Sequence, residues 1–366
     1  MDIPRKIARI QKALVDRGID AMLSTRLECI GYLTGVFQKS GVAMLIEPEG
    51  KPLIVSEETE RLKDEMWGTD LLQIEYADAK GLPIARIGAL VNAVKERGLA
   101  GKRLGLEKAY LTALEMELLA SQLPGAKWVE AGDAIPSAML VKGPEEIRAL
   151  RRVAEIADAG MTQAINSLKV GVTELEVAGE IERTIRKLGA DRTWFPIHVA
   201  SGYRSDEVTA FPTEKVIQYN DKVVIDMGPI YHFYCGELCT QVVVGKASSE
   251  IKKLFQGVAD IHKKAIESLI PGKKASDVFR ATYEYSQKLG LSRVYESFGR
   301  SIGVLGIEES MGFRATCDVE LVPGMVVATV TYAGEGRHDI GTERMTLITE
   351  NGPAPLSTFP LELIEV

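Results

Sequence analysis

The sequence predicts an α/β domain over residues 1–136, followed by an α+β domain over 137–366 built as two pseudo-symmetric halves. Three observations carry this prediction. Strand and helix patterns alternate through the first part of the chain, which argues for one α/β unit. The composition then shifts near Asp133 to Lys142, and Val141-Lys-Gly-Pro144-Glu-Glu-Ile-Arg148 opens a long helix, with Pro144 suited to its first turn. Beyond this point the chain repeats itself. Residues 164–189 and 265–290 align without a gap at an offset of 101, with 9 of 26 positions identical. Each copy reads as helix, glycine-containing turn and helix, and β-rich runs follow. Thr173 and Glu176 have the spacing of a capping box for the second helix of the first copy. Two copies are too few for a solenoid. They suit two halves that share a core or enclose a site.

The elements of the first domain follow in order. Residues 4–17 place Ile7, Ile10, Leu14 and Val15 at helical spacing, and Gly18 ends the helix. Ile19 to Leu23 reads as a strand. Ala43 to Ile46 and Leu53 to Val55 flank a Pro- and Gly-rich turn and form a hairpin. A helix over Ile84 to Arg97 turns Ile87, Leu90, Val91 and Val94 inward. Arg103 to Glu107, Leu111 to Gln122 and Lys127 to Glu130 then read as strand, helix and strand.

Length and composition bound the function. The 366 residues suit two domains, and 46% hydrophobic residues supply sizeable cores. A net charge of −7 argues against a nucleic-acid groove, which needs clustered Lys and Arg. Cys29, Cys235, Cys239 and Cys317 form no disulfide framework and no Cys-x-x-Cys pair, which suits a reducing compartment. The N-terminus reads as an amphipathic helix and not a signal peptide, and no apolar run is long enough to span a membrane. A cytoplasmic protein with a small-molecule substrate is the expectation.

The chemistry centres on Val223-Val-Ile-Asp226-Met-Gly-Pro-Ile-Tyr-His-Phe-Tyr-Cys-Gly-Glu237-Leu-Cys-Thr-Gln-Val242. Two β-rich runs flank a turn. A hairpin centred near Tyr231 and His232 would set Asp226 opposite Glu237, and like charges so placed repel. Something positive must lie between them, or one must hold a proton. Strand alternation also puts Cys235 and Cys239 on the face of Glu237. A thiol nucleophile there is opposed by the nearby carboxylates.

Further stretches resemble a known family. The second domain is similar to the pita-bread metallopeptidases, a family that includes methionine aminopeptidases, aminopeptidase P, prolidase and creatinase. The first resembles the N-terminal domain of the aminopeptidase P, prolidase and creatinase branch, including Tyr32-Leu-Thr-Gly35. In the family's peptidases two Asp, a His and two Glu hold two metal ions, and paired ions activate a bridging water. Here Asp226 stands at the first Asp and Glu343, in Gly341-Thr-Glu343, at the last Glu. Glu237 stands at the second Asp. Gly299-Arg-Ser-Ile-Gly303 resembles the family's Gly-His-x-Ile-Gly, so Arg300 replaces the His. In Gly324-Met-Val-Val-Ala-Thr-Val330, Val330 replaces a Glu. The substrate-binding His positions hold Thr209 and Ile307 instead.

Guanidinium stays protonated and offers no lone pair, and an isopropyl group cannot ligate. The resemblance therefore implies no metal cofactor here, or only a weak one. Arg300 would bond the carboxylates, and a cationic ligand or a protonated carboxyl would complete the charge balance. Creatinase, the family's metal-free member, makes a metal-independent hydrolase of a C–N bond in a small cationic or amide substrate the leading expectation. The alternatives are a binding or regulatory homologue without catalysis and an Xaa-Pro dipeptidase with an atypical metal site. Expected catalytic groups are Glu237, Glu343, Glu308 and His198, the last in a stretch resembling a site-lining strand. Expected substrate contacts are Asp226, Arg300, His232, Cys235 and Tyr203. His232 and His338 are expected in solvated turns, His262 on a helix surface. The resemblance also implies a homodimer.

Overall fold

The structure is a computed structural model. It describes residues 3–34, 42–56, 70–73, 81–207, 209–291, 293–304, 306–336 and 338–366. The chain divides into two compact units, Met1–Met139 and Leu140–Val366, against an expected division after residue 136. Gly35, in the quoted Tyr32-Leu-Thr-Gly stretch, lies outside the described residues.

The first unit contains α1 (Ile3–Asp16), β1 (Ala21–Ser24), α2 (Leu27–Thr34), β2 (Ala43–Ile46), β3 (Leu53–Ser56), β4 (Asp70–Gln73), α3 (Gly81–Glu96), β5 (Arg103–Leu106), α4 (Ala113–Gln122), β6 (Lys127–Glu130) and α5 (Ala134–Met139). Its six-stranded sheet runs β4-β3-β2-β1-β5-β6. The β2–β3 hairpin is antiparallel, and β5 lies parallel to both β1 and β6. Ile87, Leu90, Val91 and Val94 are all fully buried in the core. On α1, Ile3, Ile7, Ile10 and Leu14 are buried, but Val15 is 60% exposed. It follows Leu14 by a single residue, which turns it off the apolar stripe.

The second unit continues with α6 (Pro144–Ser167), α7 (Glu174–Lys187), β7 (Arg192–Thr193), β8 (His198–Ser201), β9 (Lys222–Met227), β10 (Pro229–Tyr231), β11 (Tyr234–Cys235), β12 (Leu238–Val243), α8 (Ser249–Glu267), α9 (Ala275–Leu289), β13 (Arg293–Val294), β14 (Gly299–Ser301), β15 (Glu308–Gly312), β16 (Val326–Glu335), β17 (His338–Thr349), β18 (Gly352–Pro355) and β19 (Ile364–Glu365). The main sheet runs β15-β14-β16-β17-β12-β9-β8, with β13, β18 and β19 attached to its side.

The repeat is a repeat of structure. The α6–α7 and α8–α9 connections pass through Gly171 and Gly272, both with positive φ, where a side chain would strain the backbone. The amide of Gly171 donates to Ile217 O at 3.0 Å, and that of Gly272 to Leu321 O at 2.8 Å. The short strands β7 and β13 keep the same 101-residue offset. Thr173 and Glu176 form the capping box, and Pro144 occupies the first turn of α6.

The central hairpin departs from the expected register. Its turn falls at His232 and Phe233, with φ of 46° and 74°, and pairs Tyr231 with Tyr234. Asp226 therefore faces Cys239, not Glu237. Because side chains alternate with period two, this two-residue difference leaves Glu237 on the same face of the ribbon as Asp226.

Candidate active site

The sheet register builds the site as a row. His198 on β8 pairs with Asp226 on β9, Asp226 with Cys239 on β12, Cys239 with Glu343 on β17, and Glu343 with Val330 on β16. Five neighbouring strands thus bring these residues to one face, with directly opposed side chains about 5 Å apart at Cβ. Arg300 enters from β14, opposite Ala328, two residues before Val330 and so on the same face of β16. Glu237 precedes Cys239 by two and joins them.

The polar contacts centre on two groups. Arg300 Nη2 donates to Glu237 Oε1 and stands 3.9 Å from Glu343 Oε2. Only one of the two carboxylates is thus within hydrogen-bond reach of the guanidinium. Tyr332 OH donates to Glu343 Oε1 at 2.8 Å and lies 3.6 Å from Cys239 Sγ. His198 Nδ1 is 3.5 Å from Asp226 Oδ2. Asp226 Oδ1, Glu237 Oε2 and Glu343 Oε2 are enclosed without hydrogen-bond partners.

Burial, reinforced by Glu343, raises the Asp226 carboxyl to about 7. The same causes push Glu237 well above the usual carboxylate range, against the pull of Arg300. The cluster thus meets its charge excess by holding protons on acids as well as by its guanidinium. Burial and the neighbouring carboxylates also push the Cys239 thiol well up, which opposes a thiolate nucleophile.

An aromatic wall flanks the cluster. Trp194 Nε1 donates to Gly236 O at 3.0 Å, and the Arg300 Cζ lies 6.0 Å over the Trp194 ring. A Cβ on Gly228 or Gly306 would overlap that ring, so the two glycines make its place. Phe195 and Phe211 pack on His198 with ring centroids 5.2 and 5.9 Å away. Tyr332 owes its position to Gly341, its cross-strand partner, where a Cβ would overlap the phenol ring. Sequence reasoning singled out neither Tyr332 nor Trp194. Tyr332 was within reach, because it lies two residues beyond Val330 and so shares its face.

Several expected site residues lie elsewhere. Tyr203 is 81% exposed and points to solvent. His232 is exposed at the hairpin turn, its ring 4.4 Å from that of Tyr231. Cys235 is buried in a separate three-stranded sheet, its thiol 3.6 Å from Val304 O. Glu308 is enclosed in its own ion pair, with Lys142 Nζ at 2.6 Å and the Ser301 hydroxyl bonded to it. His262, expected on a helix surface, is fully buried with Nδ1 3.2 Å from Thr331 Oγ1. Burial holds its pKa at about 3. The 101-residue repeat predicted a helix there but not which side of it faces the sheet. His338 begins β17, half-buried and paired with Glu335.

Two divalent ions would need ligating side chains at each of these positions. Arg300 brings a guanidinium and Val330 an apolar side chain to the row, and neither ligates. Among the described residues, no three His, Cys, Asp or Glu side chains stand together as a metal-binding group. The residues present do not fit a paired-metal centre.

An α/β unit followed by a pseudo-symmetric α+β unit, with acids gathered on one face of its sheet, defines the two-domain creatinase/prolidase pita-bread architecture. The chain belongs to metallopeptidase family M24, whose model matches residues 148–350, and the creatinase/prolidase N-terminal domain model matches residues 6–153. It is 28% identical to an Xaa-Pro dipeptidase of Pyrococcus horikoshii over the whole of both chains. It is 26% identical to a creatinase of a Bacillus species, with 98% of this chain and 91% of that one covered. Among solved structures, an Xaa-Pro dipeptidase from Bacillus anthracis superposes with a TM-score of 0.88 at 26% identity, each chain covered in full. Among the described residues, no helix is long and apolar enough to cross a membrane.

Proposed function

We propose that this chain hydrolyses a C–N bond in a small amide substrate at the Asp226–Glu237–Arg300–Glu343 cluster, with Arg300 in the place of metal. The supporting observation is the Arg300 guanidinium, hydrogen-bonded to Glu237 and 3.9 Å from Glu343. A fixed cation among carboxylates repels a second cation, and its own charge serves to stabilise a developing oxyanion. As a substrate class, the dipeptide amide is better supported than creatine. The Xaa-Pro dipeptidase relatives match in full length, and the His positions of creatinase are not kept.

The residues divide the work by protonation. Glu343, oriented through Oε1 by Tyr332, takes a proton from the attacking water. The water oxygen bonds to the amide carbon, and the C–N bond breaks. Glu237, whose carboxyl is pushed towards its protonated form, gives its proton to the leaving nitrogen. Asp226 lies beside this pair, with His198 Nδ1 3.5 Å from its Oδ2. A homodimer, implied by the resemblance, is part of the same proposal and is checked by light scattering.

The test is hydrolysis of Xaa-Pro dipeptides, creatine and cyclic amides, each with chelator and with Mn, Co or Zn added. Turnover that persists in chelator and falls on Arg300→Met supports the reading. Turnover only on metal addition replaces it with a metal-dependent dipeptidase, the reading that the relatives' names favour.

A further inference from the structure

We infer that Arg300 is the group of this site that meets the ligand, and that the ligand presents a carboxylate to it rather than a cation to the acids. The inference rests on the reading of the cluster as the working site, but not on turnover.

Accessibility sets the order of the groups. The Arg300 side chain is 20% exposed, whereas those of Glu237 and Glu343 are 2% and 7% exposed and those of Asp226 and His198 both 8%. The unsatisfied oxygens of the three acids are enclosed, so a cationic group entering the site reaches the guanidinium before it reaches them. Among the described residues, Nη2 carries both carboxylate contacts, Nε is enclosed, and Nη1 has no hydrogen-bond partner. Nη1 is thus the donor that the site leaves open. A guanidinium held by an acid behind it and open in front is suited to a planar anion.

The body of the ligand would lie along Trp194 and Phe211, and Phe211 is 59% exposed. A small carboxylate with an apolar or cyclic body is the class that fits.

The test is calorimetric binding to the full chain at constant ionic strength, with N-acetylproline, its neutral amide and methylguanidine as probes. The carboxylate is expected to bind at least about tenfold more tightly than the amide, the worth of one hydrogen bond to a charged group, and methylguanidine not to bind. Arg300→Met should abolish the preference, and Arg300→Lys, which keeps the charge and loses the fork, should weaken it. Equal binding of acid and amide, binding of methylguanidine, or no binding of any probe would overturn the inference. So would an unchanged preference in Arg300→Met or, if that variant does not fold, in Arg300→Lys. Carboxylate binding without hydrolysis of any amide would instead sink the hydrolase reading and leave this one standing.

Discussion

Among the buried charge clusters of the second unit, two solve the same electrostatic problem differently. Lys142 and Glu308 are matched one to one, with side chains 1% and 0% exposed, and the Ser301 hydroxyl donates to the same carboxylate oxygen as Lys142. Asp226, Glu237 and Glu343 share a single Arg300 that is 20% exposed. The first is a closed pair, balanced within itself, and a Cβ on Gly303 would collide with the Glu308 carboxylate. The second is short of positive charge, holds protons on its acids, and opens its cation outward. The lesson is that burial of a charge does not mark a site; imbalance and an open edge do.

Breaking the closed pair is expected to have the largest effect. Lys142→Met leaves Glu308 buried alone and should cost about 3–5 kcal/mol in urea unfolding. Lys142→Met with Glu308→Leu should recover most of that loss. A double variant no more stable than the single one would show that the pair is not self-contained.

The open cluster should instead reveal itself through pH. The folded-state pKa of Asp226 is raised to about 7 from 3.8, so the native state binds the extra proton and loses stability as pH rises between about 4 and 7. The slope from this one group is at most about 1.4 kcal/mol per pH unit. His262, lowered to about 3 from 6.5, acts in the opposite sense. It is neutral when folded, so stability is lost as pH falls below about 6.5. The two slopes oppose each other over much of the same window. Asp226→Asn should therefore make stability climb more steeply from pH 4 to 6.5, and His262→Gln should make it fall. Chemical unfolding across this range checks both signs.

Smaller effects sharpen the picture of the cluster. Gly341→Ala forces the Tyr332 ring aside and should cost about 1–3 kcal/mol by overpacking. Tyr332→Phe leaves Glu343 Oε1 without its donor, at about 1–3 kcal/mol. Comparable losses in the two variants would tie the glycine to the phenol. Smallest is a gain. Arg300→His with Val330→Glu restores the metal-ligand types that the family resemblance assigns to these positions. Mn at ten times its dissociation constant should then stabilise the double variant by about 1.4 kcal/mol and leave the native chain unchanged.

Much of this was legible in the chain, for particular reasons. The helix expected over Ile84 to Arg97 and the burial of Ile87, Leu90, Val91 and Val94 follow from apolar spacing alone. The repeat follows from identical residues at one constant offset, and Arg300 and Val330 stood out because neither side chain can ligate. The hairpin register was not legible. Two-residue turns with positive φ at both positions favour Asn and Gly, and His232-Phe233 carries no such signal. The misplaced turn moved the partner of Asp226 from Cys239 to Glu237, yet period-two alternation kept the right face.

The sequence by itself determined the two-unit α/β and α+β organisation, the internal repeat and the residue types available at the acid-rich face, because periodicity and ligand chemistry are local properties. Only the tertiary structure decided the row from His198 to Val330, the recruitment of Tyr332 over Gly341, and the separation of Glu308, Cys235, His232 and Tyr203 from it. Those outcomes depend on strand register and on which long side chain reaches across a neighbouring strand. Both are set by packing between segments far apart in the chain.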